Sequence, residues 1–168
     1  MQAYELTQKI LALGPTYEVR SVAAPMGVAD DNAPPMVTIK GKLLTATPML
    51  FINEGAEGPP VGMMKGNFAR TKFECKTPDD QLIGSLQFPL LALKKSFTLH
   101  AGGKEYTADG GYLAGEFVCK DDGGNVVMKI TKQLAFRDKY RIQADESIPT
   151  PLALLAAVAV DQRFFQES

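Results

Sequence analysis

A chain of 168 residues with a formal net charge of -1 and 22% charged residues is long enough for one well-cored domain, and it carries no global bias toward nucleic acid or membrane surfaces. Cys75 and Cys119 stand far apart in apolar surroundings without a CxxC or any metal-ligand spacing, so they read as small core residues rather than a disulfide or a metal site. The start, Met1-Gln2-Ala3-Tyr4-Glu5, has no basic stretch followed by an apolar run; no signal peptide is expected, and a cytoplasmic location is the default.

Residues 4–11 and 17–22 read as strands, the second with Tyr17 and Val19 alternating against Glu18 and Arg20. Gly14-Pro15 between them predicts a turn, and with it a hairpin. Residues 24–35 collect Pro25, Gly27, Asp30, Asp31, Asn32, Pro34 and Pro35, too many breakers for regular structure, which predicts an exposed loop. Strand patterns then recur at short intervals: 36–40, 49–53, 61–65, 71–76 and 82–87, followed by 96–100, 104–107, 112–120, 125–131 and 139–143. Glycine, proline and acidic turns separate them, and such spacing suggests an all-β sandwich or barrel. Residues 51–75 and 117–142 echo one another, each running strand, acidic-glycine turn, strand ending in lysines, Phe, Arg and strand, which suggests a two-part sheet.

The last segment, 149–165, is the one confident helix. Leu152 through Val160 is apolar on every side, where a surface helix would keep a polar face, so it must be surrounded. Nine residues make about 14 Å of helix, too short for a hydrocarbon core of about 30 Å. Pro151 suits the first turn and Thr150 is the expected cap, while Asp161 and Arg163 close the apolar run. Burying Leu152, Leu154, Leu155, Val158, Val160 and Phe164 contributes on the order of 10–18 kcal/mol, as large as the net stability of a typical domain. Twelve strands curl and close to remove their edges, and a ring that wide is not filled by its own side chains. The sequence therefore predicts a closed antiparallel β-barrel of about twelve strands, a single domain over 1–168, wrapped around a buried hydrophobic C-terminal helix.

The stretches YELTQKILALGPTYEVRS, VTIKGKLLTATPMLFINEGAEG, FPLLALKKSFTLHAGGKEYTADGGYLAGEFVCKDDGGNVVMKI and KYRIQADESIPTPLALLAAVAVDQRFF, in that order and spacing, resemble the tubby C-terminal-like superfamily. Within it they resemble the LURP-one-related proteins and the phospholipid-scramblase-like branch. The resemblance implies a twelve-stranded barrel threaded by its C-terminal helix. For function it implies less: tubby relatives bind phosphoinositide headgroups through basic residues, scramblase relatives are tied to membranes and calcium, and the LURP-one branch is largely uncharacterised. Where scramblases carry an acid-rich calcium segment, this chain offers only Asp145 and Glu146 before Ser147, too few oxygens for a hard cation that takes about six to eight.

Candidate chemistry is sparse. His100 is the only histidine and no serine or cysteine stands in a nucleophile motif, so a hydrolase is not expected and His100 reads as a strand-end residue. Asp79-Asp80 and Asp121-Asp122 read as turn formers beside Pro78 and Gly123-Gly124. Residues 55–59 lack the lysine and following helix of a phosphate cradle, and no cofactor is expected. The basic residues Lys40, Lys42, Lys94, Lys95, Lys129, Lys132, Arg137, Lys139 and Arg141 cluster at strand ends. Lys94, Lys95, Lys129, Lys132 and Arg137 are the candidate ligands for an anionic lipid headgroup, set against the reading that they are solvated surface charges. The expectation is thus a non-enzymatic barrel whose partner is an anionic phospholipid or a membrane surface on which it docks peripherally. The alternative is a protein, held by a regulatory scaffold through residues 24–35 and 53–60; nucleic acid is not expected.

Overall fold

The structure, a computed structural model, describes residues 1–11, 14–23, 27–41, 46–91, 95–110, 115–133 and 139–165. Alternating inward apolar positions build the strands β1 (Gln2–Leu11), β2 (Gly14–Val22), β3 (Val37–Gly41), β4 (Met49–Glu54), β5 (Pro60–Gly66) and β6 (Lys72–Lys76). They continue as β7 (Leu82–Gln87), β8 (Ser96–Ala101), β9 (Lys104–Asp109), β10 (Glu116–Lys120), β11 (Val126–Gln133) and β12 (Lys139–Ala144). Each strand pairs antiparallel with its neighbours in the chain, and β12 returns to β1 through the register Leu6↔Tyr140, so the twelve-stranded barrel is closed as expected. Closure leaves no unpaired edge.

Two expectations about local chemistry are corrected. Gly14 and Pro15 belong to β2, opposite Leu11 and Ile10, so they are not the turn expected there; residues 12–13 between the strands lie outside the described residues. Pro15 has no N–H to give a ladder, but its φ suits an extended strand end. The helix α1 (Thr150–Val160) has Pro149 at its N-cap and no side-chain cap hydrogen bond; Thr150 lies inside it, its Oγ1 3.4 Å from the Tyr4 hydroxyl. Pro151 is in the first turn, where its missing N–H costs nothing.

α1 follows β12 into the lumen, and every residue from Leu152 to Val160 is buried. Among the described residues no helix is long and apolar enough to cross a membrane. The helix passes so close to β7 that a Cβ on Gly84 would stand 2.5 Å from Leu152 Cδ2 and 2.6 Å from the His100 carbonyl oxygen. Only glycine leaves room there. Cys75 and Cys119 are free and buried, and burial pushes both thiols up to about 12, Cys119 further encouraged by the charge of Asp145.

The helix enters at the barrel end where β12 finishes and is continued by a π-turn, η1 (Asp161–Phe165), toward the opposite end. We call these the entry and exit ends. At the exit end Phe164 packs edge-on against Phe88 (5.4 Å between centroids) and stacks on Phe117 (5.6 Å), and Phe88 also meets Phe73 and Phe97. Five rings thus hold η1 to the wall, each pair favourable by about 0.5–1.5 kcal/mol beyond its buried area.

Outside the barrel, the β2–β3 connection lies back along the wall. Arg20 Nε donates to the Ala33 carbonyl (3.0 Å), Arg141 donates to the Gly27 carbonyl, and Lys139 Nζ bridges Glu5 (3.2 Å) and Asp31 (3.4 Å). Glu5 and Thr7, on outward positions of β1, are buried beneath it. Burial depresses the Lys139 ammonium, but its hydrogen bond to Glu5 and the Glu5 and Asp31 charges outweigh this and leave it above the ordinary lysine value. The expected exposed loop is therefore exposed at its tip and fastened at its base; residues 24–26 lie outside the described residues.

Candidate functional site

One residue after the last apolar turn, the helix changes character. Asp161 is fully buried and accepts hydrogen bonds on both oxygens, from Tyr17 Oη (2.8 Å) and Tyr140 Oη (2.5 Å). Tyr17 and Tyr140 occupy inward positions of β2 and β12, which is why phenols rather than water meet this carboxyl group. An acid at a helix C-terminus opposes the helix dipole, so the two donors offset an unfavourable placement as well as desolvation. They also fix where the next four residues emerge.

Those residues meet cations at the exit mouth. Lys95 Nζ lies 4.6 Å from the Phe165 ring centroid and 5.7 Å from that of Phe164, and Lys132 Nζ lies 4.1 Å from Phe165 and 5.9 Å from Tyr140. The Arg163 guanidinium carbon is 5.8 Å from the Phe164 centroid. Lys132, near the end of β11, shares the inward parity of Met128 and Ile130, so its ammonium lies over the Phe165 ring. Both ammonium groups share one ring, which puts them at most about 9 Å apart, about one Debye length at physiological salt. Arg163 Nε is buried with no hydrogen-bond partner among the described residues, as is Gln162 Oε1 beside it. Among the described residues no carboxylate reaches Lys95 or Arg163 within ion-pair distance. Chemically, the mouth is an arrangement of donors and positive charge backed by aromatic faces.

Of the five candidate ligands, Lys95 and Lys132 come together here. Lys129 does not: it points outward from β11 and pairs with Glu116 at 3.7 Å, because an odd step along a strand reverses its face. Lys94 and Arg137 lie outside the described residues, as does Lys42. Arg163, Phe165, Asp161 and the two tyrosines were not singled out from the sequence as site residues. The available signal was an acid set directly behind nine apolar residues and followed by Gln-Arg-Phe-Phe, read there only as the end of the helix.

The remaining candidates stand on strands and turns away from this mouth. His100 is half-exposed on β8, 3.8 Å from Glu105, beside a surface cleft lined by Thr71, Gln87, Phe88 and Leu90. Asp121 Oδ1 accepts from the N–H groups of Gly123 (3.0 Å) and Asn125 (2.9 Å), and bonding to Asn125 holds this exposed carboxyl below its ordinary value. Asp80 sits at φ 67° with its N–H on the Thr77 carbonyl (3.0 Å). Both acid pairs thus serve turns, as expected. Asp145 accepts from the Ser147 N–H at 2.9 Å. Among the described residues no group of three His, Cys, Asp or Glu is placed to hold a metal ion. Neither a protein-family model nor any curated protein matches this chain.

Proposed function

We propose that this chain is a non-enzymatic barrel of the tubby C-terminal-like kind, in its LURP-one-related and scramblase-like branch, that binds an anionic lipid headgroup and docks on the membrane periphery. The observation that carries the reading is the convergence of Lys95 and Lys132 on Phe165 beside the unpartnered Nε of Arg163. Among the described residues Lys95 and Arg163 have no carboxylate within ion-pair distance, and a phosphate oxygen supplies both a charge for them and the acceptor that the guanidinium lacks. A closed barrel around an apolar rod makes the support rigid, so little order has to be acquired on binding. The fold by itself says nothing of ligand.

The test is co-sedimentation with vesicles of phosphatidylcholine containing phosphatidylserine or a phosphoinositide, across a salt series. Each basic residue near an acidic surface contributes about 1 kcal/mol, about fivefold in affinity, so Lys95→Ala with Lys132→Ala weakens binding by roughly 30-fold. Lys129→Ala, on the wall and paired, changes it much less. Absence of pelleting at low salt rejects the proposal.

A further inference from the structure

The two ends of the barrel differ in sign. Connections at the entry end hold Glu57, the pairs Asp79-Asp80 and Asp121-Asp122, and Asp145-Glu146, and none contains a Lys or Arg. Read as sequence, the six exit-end connections contain five Lys or Arg and one acid. A bilayer rich in anionic lipid therefore attracts one end and repels the other.

The attracted end also carries large apolar side chains that pack on nothing. Phe68 is 81% exposed at the tip of the β5–β6 turn, and Leu90 and Leu91 are 73% and 95% exposed on the β7–β8 connection. The two tips are neighbours, since the Phe88 N–H donates to the Thr71 carbonyl at 2.6 Å. Both are built firmly. Asn67 Oδ1 accepts from the N–H groups of Thr71 (2.8 Å) and Lys72 (3.1 Å), and Phe88 is buried among Phe73, Phe97 and Phe164 directly before Pro89. Arg70 shares the first tip and Lys95 ends the second connection; of the described acids near this rim, Glu74 on β6 is paired with Lys72 and Lys76, Asp109 ends β9, and Glu116, which begins β10, is paired with Lys129. Apolar residues are also exposed at the entry end, including Leu82 and Val61, but there acidic turns surround them.

We infer that the exit end is the membrane-facing surface, with Phe68, Leu90 and Leu91 inserting among acidic lipid headgroups while Arg70 and Lys95 remain at headgroup level. Three side chains on two tips are far too small for a stable protein interface, which buries about 1,200–2,000 Å², whereas a few apolar side chains flanked by cations are what an acidic interface retains. This rests on the acidic-lipid reading above, and the test separates the two.

The chain contains no tryptophan, so Phe68→Trp, Leu91→Trp and, on the wall connection, Val28→Trp each introduce a single reporter at an exposed position. Each is mixed with phosphatidylserine-containing vesicles whose acyl chains are brominated, and pelleting is measured on the same samples. The expected result is blue-shifted, quenched emission for Phe68→Trp and Leu91→Trp and none for Val28→Trp, with Phe68→Ala lowering vesicle affinity about tenfold at unchanged melting temperature. Pelleting without quenching at either tip overturns the inference and leaves headgroup binding standing. No pelleting of any variant removes both. A blue shift that grows with protein concentration in the absence of vesicles also overturns it, by showing that the tips bury each other in self-association.

Discussion

The helix α1 and the π-turn η1 form one continuous rod, yet the two parts meet opposite surroundings. Along α1 the wall is dry and apolar on all sides; along η1 it offers phenols and ammonium groups. The difference lies in which element supplies the contacts. Around α1, inward residues of mid-strand face the rod and exclude water. Around η1, strand ends and connections do, where lysine reaches solvent while its stem stays on apolar surface. Substitutions along α1 should therefore change stability, and substitutions along η1 should increasingly change binding instead.

The largest effect tests the first half of that division. A chain ending at Ile148 leaves the lumen unfilled, and the expected outcome is loss of cooperative unfolding in thermal and denaturant melts. A normal melt breaks the comparison at its root. Next is Gly84, where a Cβ meets both a side chain and a backbone oxygen. Gly84→Ala is expected to cost about 1–3 kcal/mol and Gly84→Val more, seen as a fall in the urea midpoint.

The sequence made the α1 half of this picture legible and left most of the η1 half hidden. An apolar run with no polar face states its own burial, and alternation at short intervals states a sheet that must close, so strands and plug followed from local pattern. Lys95, Lys132 and Phe165 belong to three separate elements, joined only once the register of the barrel is set. Parity decides which lysines turn inward, and a shift of one residue separates Lys132 from an outward-facing wall position. Asp161 was misleading for a related reason. A charged residue after an apolar run reads as the return to solvent, and only tyrosines arriving from strands at opposite ends of the chain make it an interior residue.

Asp161 tests the junction itself. Hydrogen bonds to a charged group contribute about 1.5–3 kcal/mol, so Tyr17→Phe or Tyr140→Phe is expected to cost about that much, and Asp161→Ala, which strands two buried hydroxyls, about 3 kcal/mol or more. If the junction also aims η1, Asp161→Asn, retaining shape, weakens vesicle binding less than Asp161→Ala does at matched fraction folded.

Smaller still is an alkaline effect carried by the two thiols of the dry half and by Lys139 on the outer wall. Buried Cys75 and Cys119 resist ionisation until about pH 12, whereas an unfolded thiol ionises near 8.5. The unfolded state then loses protons first, so stability is intact below pH 8 and declines as pH rises toward 12. Lys139 acts with the same sign: its raised value means that its ion pairs with Glu5 and Asp31 contribute below the ordinary lysine range and are lost above the folded value. Substituting Cys75→Ala removes the thiol but also leaves a small cavity, so the informative measurement is the slope of stability against pH rather than its level at neutrality. That slope should flatten between pH 9 and 11 in Cys75→Ala with Cys119→Ala relative to the unsubstituted chain. Equal slopes in the two proteins would mean that the lumen admits hydroxide and water as freely as the mouth does, and the distinction between a sealed half and an open half of the rod would fail.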